Sequence, residues 1–323
     1  MLYLTKRFYV WRSILHSIMR IDGIEGESLE DISRKIESME IRGAAKIARA
    51  GALALKKVVD DFEGDEIDEL LSEINQGARR LRVTRPTAVS LDNAIEYVTG
   101  SDKENIEELK QDIRERASEF IQRSLKAKEK ISEYGGKRIS DGDIVLTHCN
   151  SSMALGAINH AWNQGKDIRV IATESRPKRQ GYITVKELSD SGIPVTLIVD
   201  SAVRYKMDVV DKVYVGADTV ASNGAVINKI GTSQVALCAH EARVDLTVCA
   251  ESYKFSQKTA LGDLVEIEER DPSEIVDPEE FPDVDISNPV FDATPSKYID
   301  SIITEKGVIS PEGAYRIIEG MKR

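Results

Sequence analysis

Asp218 lies in the run GADTVASNGAVINKIGT, residues 216–232, which joins an acid, an Asn-Gly turn, a second Asn, a Lys and a Gly-Thr pair. Residues 212–215 upstream have strand texture, so Asp218 falls at a strand's carboxyl end. Gly231-Thr232 opens a helical pattern through Val235, Leu237, Cys238 and Arg243. An open α/β sheet holds its ligand beyond the carboxyl ends of its strands. An isolated Asp at such a point is more often a turn residue, and Asn223-Gly224 more often a plain tight turn. Asp218 therefore needs chemical partners.

Cys149 is the first of these. It sits in THCNSS, residues 147–152, between an apolar strand at 144–146 and the helical residues Leu155, Gly156, Ala157 and Ile158. That places the thiol at a strand's carboxyl end, on the same sheet edge as Asp218. Helix-start N–H groups and the positive end of the dipole lower a thiol below its free pKa of about 8.5, and the same groups cradle phosphate. A single cysteine is more often a small buried hydrophobe; the strand-end position and polar neighbours bring the functional reading level with that one. Cys238, in an apolar helical pattern, and Cys249, at the end of a core strand, read as structural. His148 falls on the opposite side of the strand end from Cys149 and reads as a core or hydrogen-bonded histidine.

The segment 174–181 adds Arg176, Lys178, Arg179 and Gln180 on the same edge, a set that suits an anion, although a basic loop is usually only solvated. Arg42-Gly43 and Arg85-Pro86 each place an arginine beside a chain break, more commonly a cap or a surface group. No Walker loop, GxGxxG or Ser-His-Asp set occurs, so ATP hydrolysis, hydride transfer and serine hydrolysis lack their parts. The four histidines offer no i, i+4 pair, so a metal enzyme has little support; no cofactor is expected.

The elements that position these residues fall into two textures. From Leu29 onward, apolar residues at Leu29, Ile32, Ile36 and Met39 predict a short amphipathic helix. Small residues from Ala48 to Phe62 predict close helix packing, Ile67 to Leu81 a further helix ended at Arg85-Pro86, and Ser101-Asp102-Lys103-Glu104 a capping box before a long helix. At Tyr134-Gly135-Gly136 the texture changes. Short β-rich runs at 144–146, 168–171, 195–199, 213–215, 246–248 and 302–303 then alternate with helical stretches. The expected fold is α/β: residues 1–135 form an N-terminal extension and helical domain, and residues 136–323 a Rossmann-like domain with a mostly parallel sheet. The acidic, proline-bearing stretch 263–295 reads as an excursion over the surface or a subunit contact.

With 323 residues the chain is long enough for two cores. Its net charge of −11 argues against nucleic acid or an anionic membrane as partner, while leaving room for a small anionic substrate in a local basic pocket. Three cysteines without disulfide or zinc spacing point to a reducing, cytoplasmic setting. No apolar run is long enough to span a bilayer. Residues 1–20 are expected to be an N-terminal extension, with Met19 as an alternative start.

Arg42-Gly43-Ala44, Arg85-Pro86-Thr87-Ala88-Val89, Thr147-His148-Cys149, Glu174-Ser175-Arg176-Pro177 with Gln180-Gly181, Gly216-Ala217-Asp218 and Asn223-Gly224 through Asn228-Lys229-Ile230-Gly231-Thr232 together resemble a known family. It holds the aldose-phosphate isomerases for methylthioribose 1-phosphate and ribose 1,5-bisphosphate, and the regulatory subunits of translation initiation factor 2B. Arg85 to Leu91, Asn223 to Lys229 and Ser252-Tyr253-Lys254-Phe255 are most similar to its archaeal ribose-bisphosphate branch. The resemblance implies an isomerase of AMP degradation that converts ribose 1,5-bisphosphate to ribulose 1,5-bisphosphate, with Cys149 as proton acceptor and Asp218 as proton donor. It implies substrate contacts at Arg42, Gly43, Ala44, Ala45, Arg85, Ser151, Ser152, Met153, Gln180, Asn228, Lys229 and Lys254. It also implies a dimer-based homo-oligomer such as a hexamer. Two positions depart from the pattern: Asn150 and Ser152 stand where the bisphosphate branch often has His and Lys, and Ala45 where other members carry Pro or Gly. Methylthioribose-1-phosphate isomerase and a non-catalytic regulatory subunit are the alternative readings.

Overall fold

The computed structural model describes residues 23–24 and 26–321. The N-terminal extension expected for residues 1–20 lies outside them. The chain divides into two compact units between Leu125 and Lys126.

The first unit is helical: α1 (Leu29–Glu37), α2 (Ala44–Asp61), α3 (Ile67–Thr84), α4 (Val89–Thr99) and the first part of α5 (Ile106–Arg138). Its apolar stripes bury Ile32, Ile36, Leu55, Leu70, Leu81, Leu91, Ile95, Leu109 and Ile113. Small residues let α2 and α4 approach closely, since a Cβ at Gly51 would stand 2.4 Å from Leu91 Cδ1. Ser28 caps α1 by accepting from Asp31 N. Helix α3 ends before Arg85-Pro86, as the proline requires. The start of α5 differs from the capping box expected at 101–104. Asn105 is the cap, its side-chain oxygen accepting from Glu107 N and Glu108 N.

The expected junction at Tyr134-Gly135-Gly136 is continuous helix, and the units part ten residues earlier, inside α5. The two glycines are not a linker but a packing device. A Cβ on Gly135 would stand 2.5 Å from Ala157 Cβ, and one on Gly136 2.7 Å from His160 Cδ2. Both neighbours lie on α6 (Ser152–Asn163). A composition shift marks such close packing as readily as it marks a break.

The second unit is built on a seven-stranded sheet of β1 (Ile144–Thr147), β2 (Arg169–Thr173), β3 (Val195–Ile198), β4 (Lys212–Gly216), β7 (Asp245–Cys249), β9 (Ser301–Thr304) and β10 (Gly307–Ile309). The order is β10-β9-β7-β4-β1-β2-β3, parallel except for the β9–β10 pair. Period-two alternation sends Val145 and Tyr214 into a core shared with Ile158 and Leu188, and Leu146, Val213 and Val215 into a second core with Val235 and Ala239. The sheet is thus covered on both faces. Connecting helices include α7 (Gly181–Asp190), the single turn α8 (Val203–Lys206), α9 (Thr232–Ala242) and the C-terminal α10 (Ala314–Glu319).

A small antiparallel sheet, order β5-β6-β8, joins β5 (Thr219–Val220), β6 (Val226–Lys229) and β8 (Phe291–Thr294). Asn223-Gly224 turns the β5–β6 hairpin with Gly224 at φ +79. The end of the expected acidic excursion is therefore strand β8, which pairs with β6 over the four residues Val226–Lys229. No described helix is long and apolar enough to cross a membrane.

Candidate active site

The chain runs outward through β1, β2 and β3, then returns to lay β4 against the other side of β1. That reversal opens a crevice at the carboxyl ends of β1 and β4. In the register Thr147 stands opposite Tyr214, so Cys149, two residues beyond β1, and Asp218, two beyond β4, emerge at the same edge. Both side chains keep part of their surface open, while protein packed around them removes most of the water that would stabilise a charge.

Desolvation dominates the electrostatics. It raises the Asp218 carboxyl above the ordinary carboxylate range, against the opposing fields of Lys254, Lys229 and Arg270 and with a small push from Glu268. The Cys149 thiol is pushed up to about 11 by burial, with Lys229 and the Asn150 N–H pulling it down and Asp218 and Asp200 adding to the rise. The lowering expected from the helix start is thus reversed. Ser151 caps α6 through Ala154 N, and the dipole behind it does not offset the loss of water around the sulfur.

Lys229 and Lys254 expose only 5% and 6% of their surface, so each is largely cut off from water. Burial lowers the Lys229 ammonium, while Cys149 and Asp218 favour its charge. Its Nζ lies 4.9 Å from the Phe291 ring centroid. Lys254 is paired with the fully buried Glu251 at 2.9 Å, and Glu251 also accepts from Tyr253 Oη at 2.9 Å. Arg270 Nε meets Glu268 Oε1 at 2.6 Å. Asn228 is buried on β6, its amide donating to Thr232 Oγ1 at 3.0 Å.

Ser151, Ser152 and Met153 start α6 beside Cys149, with Met153 in the core. A Cβ on Gly216 would stand 2.3 Å from Ser151 Oγ, so the glycine before Ala217-Asp218 lets the β1 loop close over β4. Gln180 precedes α7, and its Oε1 is buried without a hydrogen bond, an acceptor left for something else. Gly181 is obligatory there, because a Cβ would lie 1.7 Å from the Thr173 carbonyl oxygen. Arg42, Gly43, Ala44, Ala45 and Arg85 belong to the first unit. Gly43 caps α2 at φ +89, the Ala44 carbonyl accepts from Ser90 Oγ, and Ala45 is buried.

Several residues around the site carry no local signal in the sequence. Glu268 and Arg270 come from the acidic excursion. Asp292, on β8, accepts from Gly231 N at 2.8 Å and from Ser233 N at 3.1 Å, which supplies the N-terminal cap of α9. Burial raises its carboxyl to about 6. Asp200, beyond β3, accepts from Ser175 N and Arg176 N, each at 2.8 Å. Glu251 looks from sequence like any acid after a strand.

Fold and site together define a doubly wound α/β protein with an acid, a thiol and two desolvated lysines at its switch point. Residues 40–311 match the Initiation factor 2 subunit family, IF-2B. The chain belongs to that family. A protein of Archaeoglobus fulgidus named ribose 1,5-bisphosphate isomerase is 55% identical over 90% of this chain and 93% of its own. One of the same name from Methanocaldococcus jannaschii is 50% identical over 91% and 96%. Among solved structures, the translation initiation factor eIF-2B of Pyrococcus horikoshii OT3 superposes with a TM-score of 0.77 at 31% identity, covering 88% of this chain and 97% of its own.

Proposed function

We propose that the protein is a cytoplasmic aldose–ketose isomerase that converts ribose 1,5-bisphosphate to ribulose 1,5-bisphosphate, in the degradation of AMP. The carrying observation is the juxtaposition of Asp218 and Cys149 at the ends of adjacent parallel strands, within reach of each other's field and of Lys229. The names borne by its relatives support the substrate.

A pentose phosphorylated on its anomeric oxygen cannot open its ring by losing a hydroxyl proton. Asp218, whose carboxyl burial raises above the ordinary carboxylate range, gives its proton to the ring oxygen as the C1–O bond breaks. Cys149, as thiolate, takes the C2 proton, and the released electron pair forms the C1=C2 bond of an enol phosphate. Return of the proton from Cys149 to C1, with loss of the C2 hydroxyl proton to Asp218, gives the 2-ketose and restores both groups. The resting thiol is protonated, so the thiolate forms in a minor fraction of molecules, stabilised by Lys229 and the Asn150 N–H.

Two phosphates need two cradles. The N–H groups at Ser151, Ser152 and Met153 suit one, and Lys229 with Lys254 the other. Gln180 and Asn228 complete the proposed contacts in the second unit. No cofactor enters the scheme, and the working state is a dimer-based homo-oligomer.

The test is incubation of the purified protein with ribose 1,5-bisphosphate and, separately, with methylthioribose 1-phosphate. Ribulose 1,5-bisphosphate should form in the first, and Cys149→Ser and Asp218→Asn should each lower kcat by roughly 10²–10⁴-fold. Turnover of the methylthio sugar alone would sink the substrate assignment; variants as active as the wild type would sink the two roles.

A further inference from the structure

Cys149 has a left-handed backbone at φ +69, and Ser175, which holds it, stands at φ +58. Residues with side chains keep such angles only where their surroundings enforce them. Here the shortest of the enforcing contacts run in a file, beside longer contacts of 3.5 Å from Ser175 Oγ to His148 Nδ1 and to the Thr173 carbonyl oxygen. Cys149 N donates to Ser175 Oγ at 2.7 Å, Ser175 Oγ lies 3.1 Å from Thr173 Oγ1, and Thr173 Oγ1 lies 2.6 Å from His148 Nδ1.

The far end fixes the direction of every proton. His148 Nε2 is 2.8 Å from the Ile230 carbonyl oxygen, which can only accept. The buried imidazole is pushed towards its neutral form, so Nε2 carries the hydrogen and Nδ1 is an acceptor. Thr173 then donates to Nδ1, Ser175 donates to Thr173, and the Ser175 oxygen is left to accept from Cys149 N. The start of the file is anchored independently: Asp200 accepts from Ser175 N and Arg176 N, and Thr184 Oγ1 donates to the Cys149 carbonyl at 2.8 Å. Its end touches Ile230, the neighbour of Lys229. A Cβ on Gly231 would come within 3.0 Å of the imidazole, so that contact has no slack.

We propose that His148, Thr173 and Ser175 form a positioning relay that locks Cys149 in its left-handed turn, keeps the Asn150 N–H on the thiol, and ties the thiol loop to the Lys229 segment. The relay rests on the reading of Cys149 as proton acceptor, but it touches no substrate. The charged groups facing the thiol are Lys229 from β6, Asp218 beyond β4 and Asp200 beyond β3, with His148 beneath, its Nδ1 3.9 Å from Asp200; removing the Ser175 hydroxyl deletes none of these groups, and removing the Thr173 hydroxyl takes from His148 only its neighbour on Nδ1.

The test uses Thr173→Val, Ser175→Ala and Ser175→Gly, with Thr173→Ser as the conservative control. Glycine tolerates the positive φ at 175 but lacks the hydroxyl, which separates strain from hydrogen bonding. Alkylation of Cys149 by iodoacetamide is followed against pH by peptide mass spectrometry, beside kcat and KM. The first three variants should move the Cys149 alkylation midpoint upward by about half a unit to one unit and lower kcat roughly tenfold with KM little changed; Thr173→Ser should follow the wild type. Wild-type titration in Ser175→Gly and Thr173→Val would overturn the relay, as would a Thr173→Ser variant as impaired as Thr173→Val. If the wild-type protein turns over no ribose bisphosphate, the substrate reading falls, and the alkylation arm still decides the relay.

Discussion

Lys229 shows how one side chain serves two opposed needs. In the proposed mechanism Asp218 keeps a proton and Cys149 loses one, yet a cation lowers the pKa of both groups. Desolvation wins at Asp218, and at Cys149 Lys229 is the largest of the opposing influences. Replacing it with a neutral side chain of similar length should therefore raise the thiol further. In Lys229→Met the iodoacetamide titration of Cys149 should shift to higher pH, and kcat/KM at neutral pH should fall by more than roughly tenfold, because a phosphate contact goes with the charge. An unchanged thiol titration would remove Lys229 from that role. Asp218 and Cys149 are both visible in the sequence as polar residues at strand ends, whereas the upward shift at Cys149 is not. A helix start is local and legible; the protein packed around the sulfur comes from segments far apart in the chain.

At the scale of elements, the small sheet β5-β6-β8 fixes Asn228 and Lys229 as strand residues and brings Asp292 to the start of α9. The Asp292 carboxyl has a folded pKa of about 6 against an ordinary 3.8. The folded state thus binds this proton more tightly than the unfolded chain. The stabilisation it gives is complete below about pH 3.8 and is lost as pH rises through about 6. The measurable consequence lies in the pair wild type and Asp292→Asn, since asparagine does not titrate. Wild-type stability relative to the variant should decline between about pH 4 and pH 6.5, by up to roughly 2 kcal/mol after allowing for partial exposure. Urea midpoints across that range would show it, and a constant difference would contradict it. The helices and the central strands follow their hydrophobic periods closely. Strand β8 did not show itself, being four residues inside an acidic stretch with weak alternation, and Gly135-Gly136 imitated a break because a glycine that admits a neighbouring helix looks locally like one that ends its own.

For the molecule as a whole, the −11 charge sets the two buried lysines of the site against an acidic background. Lys229 and Lys254 are buried and partly neutralised by acids rather than spread over the surface. The proposed dimer-based assembly is a matter for light scattering with size exclusion: a dimer or a multiple of it is expected near 36 kDa per chain, and a monomer at micromolar concentration would refute it. The sequence by itself determined a helical first part, an α/β second part and the placing of Cys149 and Asp218 at strand ends, because hydrophobic period and turn chemistry are local properties of the chain. Tertiary structure alone decided that β1 and β4 are neighbours, that α5 runs unbroken through the boundary between the units, and that Glu251, Asp200 and Asp292 stand beside the site. It also decided the direction of each titration there, because desolvation and Coulomb fields sum over whatever surrounds a group in space, whatever its distance along the chain.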